Sequence, residues 1–433
     1  MQVSAGENSR PNERVSIFAS LHYRNYLLFF SGGLLSNVGT WMARIAQDWL
    51  VLTILTEKSA TALGITTALQ FLPMLILVPW TGAAADRFNK RKLLIATQAV
   101  MMGTGLILTT LAWTNVAQLW QVYVLAFLSG TAGAFDTPAR QAFAPEMVPR
   151  QLITNAVGLN TTSFNAARLI GPAVAGVSIY WWGVAPALLL NALSFIPVIV
   201  ALLLMDVTQI TSVTRAASKG AIREGMRYVK NRPDLIILMF IAFMLGTFGM
   251  NFQITNALMA TVTFGVDSDG FGYLSSIMAI GSLAAGLVAA KRTRSRLRLI
   301  LAAMVAFGAI VTGLTFAPSY IFYAVLLAPA GFAALTVMTA TNASVQLSVD
   351  PAIRGRVMAL YMAVFMGGTP IGSPIIGWVG DVLGPRWTLA VGAIAAFLTV
   401  AVVVGYVIKR NGWPFDRHSH DEPAVIIHPE DAR

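Results

Sequence analysis

Three ionisable side chains of this sequence fall where water is scarce. Arg44 and Asp48 stand four residues apart in the apolar stretch 26–54, and Arg168 stands in the stretch 154–180. Charge inside hydrocarbon is costly, so an ionisable residue there is a functional candidate by default. Asp48 is the one acid well inside such a stretch, which makes it the natural carrier of a coupled proton. Arg44, one helical turn away on the same face, suggests the rival role of a neutralising partner. A pair that stays closed carries protons poorly; one that separates between two states can carry them. A second string, Gly82, Asp86, Arg87, Lys90, Arg91 and Lys92, sets one acid among cations at the edge of an apolar stretch, a suitable arrangement for an ionic latch. A third, Gly171-Pro172 followed by Gly176, combines a helix bend with room for close packing. Nucleophilic and metal chemistry find little support. There is no cysteine, and all four histidines (His22, His418, His420 and His428) lie outside the apolar stretches. The three in the tail imply no fixed geometry, so neither metal nor cofactor is expected.

The elements that must hold these residues follow from composition. Of 433 residues, 56% are hydrophobic and 11% charged, an excess of apolar surface that no soluble fold of this size hides. Twelve apolar stretches of about the length of a bilayer span can be drawn, roughly at 26–54, 60–84, 93–113, 119–139, 154–180, 186–205, 234–263, 270–290, 298–316, 319–343, 356–380 and 386–408. The expected fold is therefore an all-α membrane protein of twelve transmembrane helices. Twelve spans put both termini on one face. Sorting the 30 basic residues by loop gives 26 to that face, two (Lys58 and Arg386) to the other, and two inside spans. This asymmetry makes the terminal face cytoplasmic in a plasma or inner membrane. It also accounts for the formal charge of +11 without nucleic acid as a partner. The polar N-terminal segment lacks the apolar core of a cleavable signal. The expected divisions are an N-terminal segment 1–25, a first six-helix half 26–205, a central loop 206–233, a second half 234–408 and a tail 409–433. Within the central loop, Met226 and Val229 alternate with Arg223, Arg227 and Lys230 at helical spacing, as in an amphipathic helix at a membrane surface.

The chain also repeats itself. An offset of 201 sets Gly130 on Gly331, Phe164 on Phe365, Gly171 on Gly372, Gly176 on Gly377 and Gly183 on Gly384; an offset of 204 sets Gly82 on Gly286 and Arg87 on Lys291. Two parallel six-helix halves result, an arrangement that places a binding site between them near the bilayer midplane.

The string from Gly82 to Lys92 resembles the signature loop of the major facilitator superfamily, Gly-x-x-x-Asp-Arg-x-Gly-Arg-Arg/Lys, departing from it at Asn89. Its counterpart in the second half has Ala290 in place of the acid. Gly171-Pro172 and Gly176 resemble part of the fifth-helix motif of that superfamily's drug exporters. The segment His22 to Tyr26, Trp41 to Trp49, Asp136 to Glu146 and the run from Glu224 to Val229 together resemble the branch containing enterobactin-type siderophore exporters and macrolide efflux proteins. The resemblance implies the major facilitator fold, alternating access, and secondary active export of an amphiphilic small molecule (a drug, a macrolide-like compound or a siderophore) in exchange for protons. It also implies that Asp136 and Arg140, which are spaced to pair locally, join the gate with the 82–92 loop.

Candidate cavity-lining residues are Trp41, Gln70, Asn160, Asn165, Asn251, Gln253 and Tyr361. The expected partners are the substrate, protons and the bilayer, with the chain acting as a monomer. An importer or uniporter on the same scaffold is the first alternative, and a non-transporting membrane sensor is the second. An enzyme is disfavoured because no cluster of histidines or carboxylates lies at membrane depth. No Gly-x-x-x-x-Gly-Lys-Ser/Thr string marks a nucleotide site.

Overall fold

The computed structural model describes residues 16, 18–210, 221–290, 296–350 and 353–411. The side chain of Asp86, the basic stretch containing Lys291 and the histidines of the tail lie outside the described residues. Among those described, all regular structure is helical. In hydrocarbon every backbone polar group needs an internal partner, and a helix supplies one within its own segment.

The first six rods are α1 (Arg24–Trp49, continued by a π-helical turn Leu50–Leu55), α2 with α3 (Ala60–Ile76 and Val78–Arg87), α4 (Lys90–Trp113), α5 (Leu119–Phe143), α6 (Ile153–Trp182) and α7 (Val184–Leu204). The second rod breaks at Leu77, and α3 then opens with Val78-Pro79, where Pro79 has no amide to donate to the preceding turn. A short helix, α8 (Ala221–Lys230), precedes the other six. These are α9 with α10 (Pro233–Met244 and Phe252–Leu258, each followed by a π-helical turn), α11 (Ser268–Ala290), α12 (Leu297–Thr315), α13 (Tyr320–Ser348), α14 (Arg354–Leu383) and α15 (Pro385–Asn411). The twelve expected stretches match the twelve rods to within a few residues. In α8, Val229 is buried while Met226 and Arg227 are exposed, and Glu224 pairs with Arg356 at the start of α14.

Eight of the rods are long and apolar enough by composition to cross a bilayer. The four that fall short are α1, α2 with α3, α5 and α6, all in the first half. Their counterparts in the second half all qualify. Of these, α2 is apolar but only 17 residues long, too short by itself for a full span.

Two ends of the bundle can be distinguished. At one, the terminal face, Asn25 exchanges hydrogen bonds with the backbone of Asp206, and Arg91 donates to the carbonyls of Leu202 and Leu203. There the Asp206 carboxylate is held below the usual range, first by the Thr208 side chain hydrogen bond. At the other, the loop face, Lys58 reaches the Thr261 carbonyl, and Arg386 the carbonyls of Thr315 and Ala317. Within the first half, α1 packs on α6 and α7, and α5 on α2 and α4; within the second, α13 packs on α11 and α12. The halves meet through α2 on α14, α6 on α11, and α1 on α10.

Candidate translocation site

Between the halves lies a cavity of about 490 Å³, within the usual range for a small-molecule site. Its polar wall draws on both halves, with Gln70, Gln98 and Asn191 from the first and Asn251, Gln253 and Asn256 from the second. Trp41 of α1 stands at its centre. The guanidinium carbon of Arg44 lies 4.7 Å from the Trp41 ring centroid and 5.1 Å from that of Phe71 on α2. Arg168 of α6 lies 5.6 Å from the Trp41 centroid, and Phe164 meets that ring edge-on at 5.8 Å. Both arginines are thus held by ring faces.

The anticipated ion pair between Arg44 and Asp48 does not form. Asp48 is turned toward the second half, where its Oδ2 accepts a hydrogen bond from Nε2 of Gln253 on α10 at 2.5 Å. Its Oδ1 is buried without a partner. The helical spacing brings the two residues to one face, but the crossing with α10 offers Asp48 a nearer donor.

Asp136 and Arg140 do pair, with Nε to Oδ2 at 3.0 Å across one turn of α5. They do so within the helix, beside the cavity. Asp136 Oδ1 also accepts from Thr97 Oγ1 at 3.0 Å and Gln98 Nε2 at 2.8 Å, and Gln98 Oε1 accepts from Ser36 at 3.0 Å. Two helices, α4 and α5, share this carboxylate, and α1 joins the network through Ser36. Among the described residues of the 82–92 loop, Lys90 pairs with Glu146 at 2.9 Å, and Arg91 holds the end of α7. Arg87 is exposed. Asn89, where the superfamily string has Gly, has φ −61° and accepts the Lys92 amide as the N-cap of α4. No left-handed turn is needed there. A Cβ on Gly82 would meet nothing within 4 Å among the described residues.

Of the other cavity candidates, Trp41, Gln70, Asn251 and Gln253 line the space. Three do not. Tyr361 is fully buried beneath the wall, Asn165 donates to the Thr161 carbonyl of its own helix, and Asn160 lies outside the lining. On α6, Asn160 shares the i, i+4 stripe of Phe164 and Arg168 but lies about two turns before Arg168, beyond the lining, which a span boundary alone does not reveal.

The glycines of the repeat account for how the halves meet. A Cβ on Gly171 would fall 2.6 Å from the Trp41 Cβ on α1; one on Gly372 would strike the Thr247 carbonyl at the end of α9. A Cβ on Gly176 would fall 2.7 Å from the Ser268 carbonyl of α11, and one on Gly377 would fall 2.5 Å from the Ala60 carbonyl of α2. In each half, then, the fifth helix uses its first glycine against its own first helix and its second glycine against the second helix of the other half. Gly183 and Gly384 (φ 84° and 97°) end these helices in the same left-handed conformation. Both inter-half contacts lie toward the loop face. One contact there escapes sequence reasoning. The Asp381 carboxylate of α14 accepts the amides of Ala60 and Thr61 at 2.6 and 2.9 Å, capping α2 across the interface. An acid three residues from a helix end reads as ordinary loop charge, and the repeat puts Tyr180 opposite it.

Comparison with known proteins agrees with this geometry. The transmembrane secretion effector family matches residues 15–425. The staphyloferrin A transporter of Staphylococcus aureus is 27% identical over 388 residues, covering 88% of this chain and 96% of that protein. Macrolide efflux protein A of Streptococcus pyogenes is 24% identical over 369 residues, covering 82% of this chain and 89% of that protein. Among solved structures, a bacterial homologue of the human lysosomal transporter Spinster, in an inward-facing and unoccupied conformation, superposes with a TM-score of 0.71 at 12% identity, covering 88% of this chain and 96% of that one. The chain belongs to the transmembrane secretion effector family of the major facilitator superfamily, as a multi-pass membrane transporter and not an enzyme.

Proposed function

We propose that this protein exports an amphiphilic small molecule from the cytoplasm, in exchange for protons, by alternating access as a monomer in the plasma or inner membrane. The observation that carries this reading is the asymmetry of the interface. The glycine contacts of α6 and α14 draw the halves together near the loop face, and the polar cavity lies on the terminal side of those contacts. The excess of basic residues at the terminal face supports a cytoplasmic assignment for that face. In this state the cavity accepts cargo from the cytoplasm.

The proton role falls to Asp48. Its hydrogen bond to Gln253 spans the halves, and its second oxygen has no partner. A neutral carboxyl group tolerates that setting. An ionised one lacks the hydrogen bonds that a buried charge requires. Loss of the proton would therefore favour a rearrangement that gives the carboxylate new partners, Arg44 being the nearest cation along its own helix. Opening of the α1–α10 crossing and proton transfer are coupled on this account. In cells lacking the protein, accumulation of a labelled substrate found by screening antibiotics and secreted metabolites should rise; a fall would identify an importer. In proteoliposomes an inward proton gradient should drive export, and Asp48→Asn should abolish that dependence while the protein still reaches the membrane. Undiminished proton-driven export by Asp48→Asn would exclude Asp48 as the carrier.

A further inference from the structure

We infer that the cavity selects substrates bearing an acidic group, a carboxylate or its equivalent, next to a flat apolar part. The inference rests on the transport reading above and narrows it. Four charged side chains line the cavity: Arg44, Asp136, Arg140 and Arg168. Asp136 is taken up by Arg140, Thr97 and Gln98. Arg44 and Arg168 have neither an acidic group within 4.0 Å nor a hydrogen-bonded partner among the described residues, and each touches the wall only through aromatic rings. Asp48 is the remaining acid at this depth. It does not line the cavity and is engaged by Gln253. Counting it as ionised still leaves the balance at this level positive.

Two guanidinium groups over one indole on the cavity wall form an incomplete arrangement. Charges at membrane depth are ordinarily paired. Ring faces compensate a cation only partly, and the planar donor fork of arginine is matched by a carboxylate or another flat oxyanion. The missing component is an anion. The edges of Phe71, Phe164 and Trp41 beside the guanidiniums offer stacking surface for an attached ring. The same charges repel a protonated amine. The cavity therefore discriminates between cargo chemistries that overall fold and apolar lining leave equivalent: acids are accepted and organic cations refused.

The test is equilibrium binding to the purified full-length chain in detergent, with three probes of one shape and different charge: 2-naphthoate, 2-naphthamide and 2-naphthylmethylammonium. Naphthoate should bind at least tenfold more tightly than the amide, and the ammonium more weakly than either. Arg44→Gln combined with Arg168→Gln should erase the preference, whereas Arg44→Lys, which keeps the charge, should retain part of it. Naphthoate binding no tighter than that of the amide, or a preference that survives the double substitution, would overturn the inference. Neither outcome depends on transport or on proton coupling. A failure here thus leaves the export reading standing, and a transporter that binds acids without moving them would defeat only that reading.

Discussion

Asp381 and Ala60 are joined across the two halves: the carboxylate at the end of α14 accepts the Ala60 amide at 2.6 Å. It accepts the Thr61 amide and the Ser59 hydroxyl as well, at 2.9 and 3.2 Å. A negative charge at the start of α2 satisfies amides that the helix leaves unpaired and complements its dipole. The cap is supplied by the opposite half, so it exists only while the halves are closed at the loop face. Replacing Asp381 by Ala should cost the closed state about 1–2 kcal/mol, a five- to thirtyfold change in population. The chain has no cysteine, so Thr67→Cys on the cavity wall provides a single reporter. An impermeant maleimide applied at the loop face should label it faster in the Asp381→Ala background. An unchanged rate would mean that the cap is incidental to closure.

The paired glycines make a symmetric prediction. Gly176→Val and Gly377→Val each place side-chain carbon against backbone of the other half, where nothing flexible can yield. Overpacking of this kind costs about 1–3 kcal/mol. Both variants should shift labelling of the same reporter in the same direction, toward loop-face opening. Opposite shifts would show that the two contacts are not equivalent elements of one closure.

The Asp136 network should be structural. Removing its charge leaves Arg140 buried and uncompensated, since Nη1 of Arg140 already lacks a hydrogen-bond partner. Breaking a buried pair from one side typically costs about 3–5 kcal/mol. Thermal unfolding in detergent should register a large loss for Asp136→Asn and partial recovery for Asp136→Asn combined with Arg140→Gln. Additive losses would indicate that the two residues act separately.

Asn89 separates two readings of one position. As a helix cap it should tolerate Gly with a loss of only a few tenths of a kcal/mol, and lose about 1 kcal/mol on replacement by Ala. Thermal stability of Asn89→Gly and Asn89→Ala would check this order. A clear gain with Gly would point instead to strain in the turn.

Much of the architecture was legible in the sequence because its determinants are local or periodic. Span positions follow from runs of apolar residues, and four of the glycines matched at offset 201 (Gly171, Gly372, Gly176 and Gly377) stand where the fifth helix of each half meets a neighbour closely. What was not legible depends on which helix crosses which. Asp48 has Arg44 one turn away but is bonded to Gln253, 205 residues distant. Asn160 and Asn165 occupy the same span as Arg168 but fall outside the cavity lining. Asp136 was legible as the local partner of Arg140, while its bonds to Thr97 and Gln98 needed the packing of α4 on α5.

The central claim is that closure at the loop face and access from the terminal face coexist in one state. A Cβ on Gly380 would lie 2.9 Å from the Ala60 Cβ, and a small outward relaxation reaches the roughly 3.8 Å of a disulfide. Ala60→Cys and Gly380→Cys should therefore cross-link α2 to α14. With that bond formed first, a third cysteine at Thr137 on the cavity wall should react with an impermeant maleimide from the terminal face and not from the loop face. Reduction of the cross-link should restore slow labelling from the loop face. Labelling of Thr137→Cys from the loop face with the cross-link intact, or its protection from the terminal face, would contradict the account.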